Sequence, residues 1–70
     1  MTVPVTQALI DARLRTGMTQ KELSEKTGIA QGDISKLERG NSNPSIRTLQ
    51  RLAAGMGMSI QLKFIPNGNA

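Results

Sequence analysis

The 70-residue sequence contains no cysteine and no histidine. Without cysteine no disulfide can hold the fold together, and without either residue the usual ligands of a zinc site are missing. We therefore expect no structural metal and no cofactor. Phe64 is the one aromatic residue, which argues against binding of single strands or RNA, because such binding depends on aromatic stacking platforms.

Long apolar runs are also absent from the sequence. None approaches the roughly 20 residues of a membrane span, so we expect no membrane association. The N-terminus has no basic region followed by an apolar stretch, which argues against a secretory signal. Together these features predict a cytoplasmic protein, and DNA binding would make it nucleoid-associated.

Positive charge is in excess, with nine Lys and Arg against five Asp and Glu. The net charge of +4 and the isoelectric point near 10.4 favour an anionic partner, nucleic acid first, although a solvated basic surface is the open alternative. Lacking histidine and cysteine, the chain has no usual general base or thiol nucleophile, and it has no phosphate-binding glycine loop, so we do not expect an enzyme. A domain this small gains stability most simply by oligomerisation.

Two N-terminal helices are predicted from their caps. Residues 1–5 are interpreted as a lead-in, and Thr6 as the N-cap of a helix that runs to about Thr16. The apolar side of this helix is formed by Leu9, Ile10, Ala12 and Leu14. Thr19 begins the second helix, because the glutamate three residues later completes a capping box, and Gly28 ends it.

Two further helices follow. A third helix is predicted from about residue 30 to residue 38, and Gly40 stops it. After a polar turn, Ser45 caps a fourth helix, which Gly55 and Gly57 close. Its apolar residues recur at helical spacing: Ile46, Leu49, Leu52, Ala53 and Met56.

Residues 58–66 then change from helical spacing to strict alternation. The apolar side consists of Met58, Ile60, Leu62 and Phe64. Alternation predicts a strand, ended by Pro66 and followed by a tail at residues 67–70. A lone strand cannot complete its ladder of hydrogen bonds, so we expect these four residues to pair antiparallel with a second copy in a homodimer. A strand folded back onto its own bundle is the alternative.

The second and third helices are predicted to form one helix-turn-helix unit. Gly28 supplies a positive φ for a tight turn, and the small Ser24 lets the two helices cross closely. Ile29, Ile34 and Leu37 would anchor the third helix from behind. Its outer side would then carry Gln31, Gly32, Asp33, Ser35 and Lys36. A helix of this size fits the DNA major groove, whereas a generic helix pair with a wet polar side is the open alternative.

The stretch MTQKELSEKTGIAQGDISKLERGNSNPSIRTLQRLA, residues 18–53, resembles the helix-turn-helix core of the XRE family, which includes the lambda-type phage repressors and Cro. The resemblance extends over residues 6–57. It implies an all-α, four- to five-helix DNA-binding bundle like that of lambda repressor, here followed by the short C-terminal strand.

The resemblance also implies roles for individual residues. Gln20 would clamp a DNA phosphate at the start of the second helix. The base-reading face would be formed by Ala30, Gln31, Gly32, Asp33 and Lys36. The loop at Asn41, Ser42 and Asn43 would donate to the DNA backbone. Arg13 and Glu38 fall where the family often holds an interior ion pair, and two solvated side chains are the alternative.

Some residues depart from the family pattern. Ser24 stands where alanine is usual, which is tolerable if its hydroxyl bonds back within its own helix. Gly32 removes a possible base contact and lowers helix propensity by roughly 1 kcal/mol. Asp33 either accepts from a cytosine amino group or forms an ion pair with Lys36 at i+3, and the second is favoured.

The C-terminal stretch LAAGMGMSIQLKFIP, residues 52–66, resembles the short antitoxins of type II toxin–antitoxin operons, the HigA-like and HipB-like classes. That resemblance implies a protein that represses its own operon and also binds a toxin. The homodimer expected from the strand would present two reading helices about one helical turn of DNA apart, so we expect a palindromic operator. A stand-alone regulator of the phage or plasmid type is one alternative. Another is an interaction module that inhibits a partner and binds DNA weakly, which Gly32 and Asp33 keep open.

Overall fold

The computed structural model describes residues 5–68, in which the chain forms four α-helices and no strand. The helices are α1 (Val5–Thr16), α2 (Gln20–Thr27), α3 (Gln31–Glu38) and α4 (Ile46–Gly55). The predicted all-α bundle is therefore confirmed. Most of the lead-in, residues 1–4, and the end of the tail, residues 69–70, lie outside the described residues. None of the helices in the described part is long and apolar enough to cross a membrane.

Helix α1 differs from its prediction in two respects. It already includes Val5, so Thr6 lies inside the helix and is not its N-cap. Thr6 instead faces Gly40, where its hydroxyl oxygen is 3.6 Å from the position that a Cβ would take. Leu14 is 62% exposed and does not belong to the apolar side, because it lies about 140° around the helix from the buried Leu9.

The predicted boundaries of α2 are confirmed by its caps. The hydroxyl of Thr19 accepts from the backbone N–H of Glu22 at 3.0 Å, and the Glu22 carboxylate accepts from the backbone N–H of Thr19 at 3.0 Å. Gly28 has φ 75° and donates its N–H to the carbonyl of Ser24 at 2.9 Å. A residue with a Cβ disfavours that φ, so glycine is the natural residue at this turn.

The core lies where the four helices meet. It consists of Leu9, Leu23, Ile34, Leu37, Leu52, Ala53 and Met56. Leu23 of α2 and Ile34 of α3 are completely buried, and Met18, Ile29 and Met58 pack around the cluster. Helix α2 contacts both α3 and α4, while α1 contacts α3. The helix-turn-helix unit is therefore supported from behind by α1 and α4.

Helix α4 begins as predicted, since the Ser45 hydroxyl accepts from the backbone N–H of Thr48 at 3.1 Å. Ile46 is not on its buried side but 53% exposed, because the first residue of the helix lies at the rim of the bundle. Gly55 is the last residue of the helix, and Gly57, with φ 70°, ends it after the C-cap Met56 as predicted. A Cβ on Gly55 would lie 2.5 Å from Cγ2 of Thr27, so α2 and α4 cross closely here.

The strand predicted at residues 58–66 is not present in the single chain, and its pairing with a second copy stays a prediction. The structure gives residues 58–67 no regular secondary structure, because a strand needs a neighbouring strand and no segment of residues 5–68 supplies one. The alternating residues also divide into two groups. Met58 and Ile60 are half-buried, and together with Leu62 they line an apolar cavity of about 330 Å³ beside α1 and α4. Leu62 is 63% exposed, and Phe64 is fully exposed.

Candidate nucleic-acid interface

An ion pair lies behind the helix-turn-helix unit. Arg13 of α1 donates from Nε to Oε2 of Glu38 at 2.6 Å and from Nη2 to Oε1 at 2.9 Å. Its third nitrogen, Nη1, donates to the carbonyl of Met18 at 2.9 Å. The side chains of Arg13 and Glu38 are only 14% and 7% exposed. These are the two residues that the family resemblance pairs, and the paired geometry excludes two solvated side chains.

The ion pair changes the titration of both partners. The hydrogen bonds from Arg13 hold the pKa of Glu38 below its ordinary value of 4.5, although partial burial opposes that shift. The hydrogen bond to Glu38 likewise raises the pKa of Arg13. Both groups are therefore charged near neutral pH, and the end of α3 is fixed to α1 by a bidentate contact.

Gln20, which the resemblance assigns to a DNA phosphate, takes part in the same network. Its Nε2 donates to Oε1 of Glu38 at 3.0 Å, which connects the first residue of α2 to the last residue of α3. An amide group carries two N–H donors, so one remains for a phosphate, and the predicted contact stays a prediction. No signal in the local sequence pattern points to the bond with Glu38.

The turn between α2 and α3 is held by side chains. The hydroxyl of Ser24 donates to the carbonyl of Ile29 at 2.6 Å. The hydroxyl therefore does not bond back into its own helix but holds the turn that follows it. Thr27 donates its hydroxyl to the carbonyl of Leu23 at 2.8 Å and accepts from the N–H of Ile29 at 3.2 Å. Arg51 donates from Nη2 to the carbonyl of Thr27 at 2.7 Å.

The outer side of α3 is open to solvent. Every residue assigned to base reading is exposed: Ala30, Gln31, Gly32, Asp33 and Lys36. Ile34 and Leu37 of the same helix are buried. The loop that follows, Asn41, Ser42 and Asn43, is exposed as well. Ala30, Asp33 and Lys36 share one surface groove with Ser42, so predicted reading residues lie next to the predicted backbone-contacting loop.

The favoured interpretation of Asp33 is wrong. Within residues 5–68 the ion pair of Arg13 and Glu38 is the only one, so Asp33 and Lys36 do not form one. An exposed ion pair adds little stability, because its weak attraction in water is offset by the entropy lost when two side chains are ordered. Asp33 lies in the first turn of α3, where the partial positive charge of the helix N-terminus already favours a carboxylate.

A groove next to α3 contains two residues that the sequence interpretation missed. The groove has a volume of about 650 Å³ and lies between α3, the loop that follows it and α4. Its lining includes Thr48 and Arg51 of α4 together with Asp33, Lys36 and Ser42. The sequence interpretation of α4 considered only the spacing of its apolar residues. Arg51 lies on the polar side of that helix, and its positive charge was the signal that could have identified it.

Comparison with known proteins agrees with this geometry. A family model described as helix-turn-helix matches residues 9–63. The chain belongs to the XRE-type helix-turn-helix family of transcriptional regulators. An uncharacterized HTH-type transcriptional regulator of this family, y4dJ from Sinorhizobium fredii, is 46% identical over 50 residues, which cover 69% of this chain and 65% of the relative.

A second family member, an uncharacterized HTH-type transcriptional regulator from Haemophilus influenzae, is 33% identical over 60 residues, which cover 86% of this chain and 61% of the relative. The chain thus spans less than two thirds of the length of either relative. Among solved structures, the restriction-modification controller protein C.Esp1396I matches with a TM-score of 0.75 and 33% identity. That match covers 79% of this chain and 72% of the controller, whose structure is a tetramer in complex with its natural 35-base-pair operator.

Proposed function

We propose that this protein is a sequence-specific transcriptional regulator that inserts the outer side of α3 into the major groove of double-stranded DNA. One observation carries the proposal: Gln31 and Lys36 are exposed, while Ile34 and Leu37 of the same helix are buried. The anchored side fixes the helix and leaves amide and ammonium groups free to meet base edges and phosphates. It is a binding function, and we propose no enzymatic activity.

The comparison with C.Esp1396I supports DNA as the partner, since that protein is known in complex with its operator. The interior ion pair supports it in another way. Because Arg13 and Glu38 fix α3 against α1, the reading face is rigid before DNA arrives, and little ordering entropy opposes binding.

We propose that the regulator acts as a homodimer on a palindromic operator. The exposed Leu62, Phe64 and Ile65 support this, because three large apolar side chains within four residues of one exposed segment favour burial against a second copy. A two-fold pair of reading helices would contact half-sites about one helical turn apart, roughly 34 Å. Two copies would also supply the strand partner that the segment lacks within one chain.

A second candidate function is toxin binding, as in an antitoxin that represses its own operon. The same exposed segment favours it, because an apolar surface can bind either a second copy or a different protein. Identification of the adjacent gene tests this setting: a toxin-sized reading frame whose product co-purifies with this protein supports it. A stand-alone regulator, with no such neighbour, remains the alternative setting.

The central test is selection of bound duplexes from a random pool, followed by gel shifts with variants. Gln31→Ala is expected to weaken binding to the selected site by about 1–3 kcal/mol and to relax preference at one base pair. Gln7→Ala is the matched control, because Gln7 is an exposed glutamine on α1 that hydrogen-bonds Asp11. An equal loss on all sequences with Gln31→Ala, or no enriched site in the selection, would contradict the proposal.

A further inference from the structure

Arg51 belongs to α4, but its guanidinium group reaches the turn between α2 and α3. Nη2 donates to the carbonyl of Thr27 at 2.7 Å and lies 3.4 Å from the position that a Cβ of Gly28 would take. A guanidinium has five N–H donors, and this single bond uses one of them. The residue is exposed. The group is thus held in place by one contact while most of its donors face solvent.

The surroundings of Arg51 suit an anion that lies beside the reading helix. The groove between α3 and α4 contains the cations Lys36 and Arg51, the hydroxyls of Ser42 and Thr48, and one carboxylate, that of Asp33. Lys36 belongs to the reading face and Ser42 to the loop that follows it. A DNA strand that runs from one to the other therefore passes over this groove.

The charge around Arg51 is not neutralised by the protein. Arg47 precedes it by one helical turn and is also exposed, so two like charges share one side of α4. Among residues 5–68, Arg13 is the only cation with a carboxylate within ion-pair distance. Like charges at i and i+4 repel each other, and an anion bound to Arg51 would reduce that repulsion.

From these contacts we propose that Arg51 binds a phosphate of the DNA backbone in this groove. The inference rests on the proposed DNA-binding function and names a contact for it outside the helix-turn-helix. A guanidinium fork matches phosphate oxygens in a bidentate way, and the bond to Thr27 already orders the side chain. Because every nucleotide carries a phosphate, the contact adds affinity without sequence preference.

The test measures affinity against salt for four proteins: the unaltered chain, Arg51→Ala, Arg51→Lys and the control Arg15→Ala. Arg15 is an exposed arginine of α1 that does not line the groove. Each protein is titrated with the selected operator and with an unrelated duplex between 50 and 200 mM salt, a range over which affinity from phosphate contacts falls steeply. Thermal unfolding followed by far-UV circular dichroism shows whether each variant is folded.

Arg51→Ala is expected to weaken binding to both duplexes by the same factor, about tenfold or more for a charged hydrogen bond. The slope of log K against log salt should fall by about one. Arg51→Lys, which keeps the charge, should restore the slope but only part of the affinity. Arg15→Ala should leave both unchanged.

Several results would overturn the inference. An unchanged slope with Arg51→Ala, with or without a lower melting temperature, would mean that Arg51 only braces the turn. A loss confined to the operator would mean that it reads a base. If the unaltered chain binds no duplex, the proposed function fails as well. If the chain binds DNA and Gln31→Ala relaxes specificity while Arg51→Ala changes nothing, the inference alone fails.

Discussion

The α2–α3 unit and the segment at residues 58–68 differ in whether the structure predicted from the local sequence can form without a partner segment. The caps and spacing at residues 19–38 predicted two helices around Gly28, and both exist. The alternation at residues 58–64 predicted a strand equally clearly, and the described chain has none. A helix closes its hydrogen bonds within its own residues, whereas a strand must find a second one.

The two regions also differ in how they are held. Side chains from α1, α2 and α4 donate hydrogen bonds to acceptors of the α2–α3 unit: the carbonyls of Thr27 and Ile29 at the turn and the carboxylate of Glu38 at the end of α3. The C-terminal segment, residues 58–68, includes the fully exposed Phe64. Changes in the first region should therefore affect the folding of a single chain, and changes in the second should affect association.

The largest effect on folding is expected from Glu38→Gln. The variant leaves the mostly buried guanidinium of Arg13 without its counter-charge, which should lower the free energy of unfolding by about 3 kcal/mol. Urea denaturation followed by circular dichroism measures it. Glu25→Gln, an exposed glutamate of α2, is the control and should change stability by less than about 0.5 kcal/mol. Equal effects of the two would mean that the ion pair does not stabilise the α2–α3 unit.

The same carboxylate predicts how stability depends on pH. The folded pKa of Glu38 is held below its ordinary value of 4.5 by the hydrogen bonds from Arg13. Its contribution is thus complete above pH 4.5 and is lost as the pH falls through the lower folded value. The N–H of Thr19 lowers the pKa of Glu22 in the same direction. Melting temperatures between pH 3 and pH 7 should fall on the acid side, and less steeply in Glu38→Gln.

A smaller decrease in the free energy of unfolding is expected from Gly28→Ala. A Cβ at φ 75° introduces strain of about 1–2 kcal/mol and would lie 3.4 Å from Nη2 of Arg51. Gly17→Ala is the matched control, since Gly17 has φ 74° and nothing within 4 Å of its Cβ position. The difference between the two variants in urea denaturation isolates the contact with Arg51. A larger loss in Gly17→Ala would show that this contact adds nothing.

Substitution by alanine is expected to change stability in opposite directions at two helical glycines, Gly55 and Gly32. Gly55→Ala places a Cβ 2.5 Å from Cγ2 of Thr27, whose rotamer is fixed by its bonds to Leu23 and Ile29. Overpacking of about 1–3 kcal/mol should exceed the roughly 1 kcal/mol gained in helix propensity. Gly32→Ala meets nothing within 4 Å and should stabilise by about 1 kcal/mol. Stabilisation by both variants would show that α4 can shift away from α2.

The smallest effect on a single chain is expected from Phe64→Ser. The side chain is fully exposed, so the stability of the dilute protein should change by less than about 0.5 kcal/mol. Association should weaken, because an apolar contact surface is lost. Sedimentation at increasing concentration measures this, with Lys63→Ser as the control. A dimer as strong as that of the unaltered chain would place the contact between copies elsewhere.

The candidate site could be predicted from the sequence only in part, because some of its contacts join residues that are far apart in the chain. The exposed side of α3 follows from helical spacing, since Ile34 and Leu37 are apolar and the residues between them are polar. The side-chain hydrogen bonds of Gln20 and Ser24 could not be predicted in this way. Their partners, Glu38 and the carbonyl of Ile29, come within reach only after the helices have packed.

The sequence by itself determined where the helices of this protein begin and end around Thr19, Gly28 and Ser45, because caps act between residues a few positions apart. Tertiary structure alone decided that Arg51 reaches the turn from α4 and that Gly55 allows α2 and α4 to cross. It also decided that Met58 packs inward while Phe64 stays in solvent. These outcomes depend on distances between residues far apart in the chain, and such distances are set only when the elements pack together.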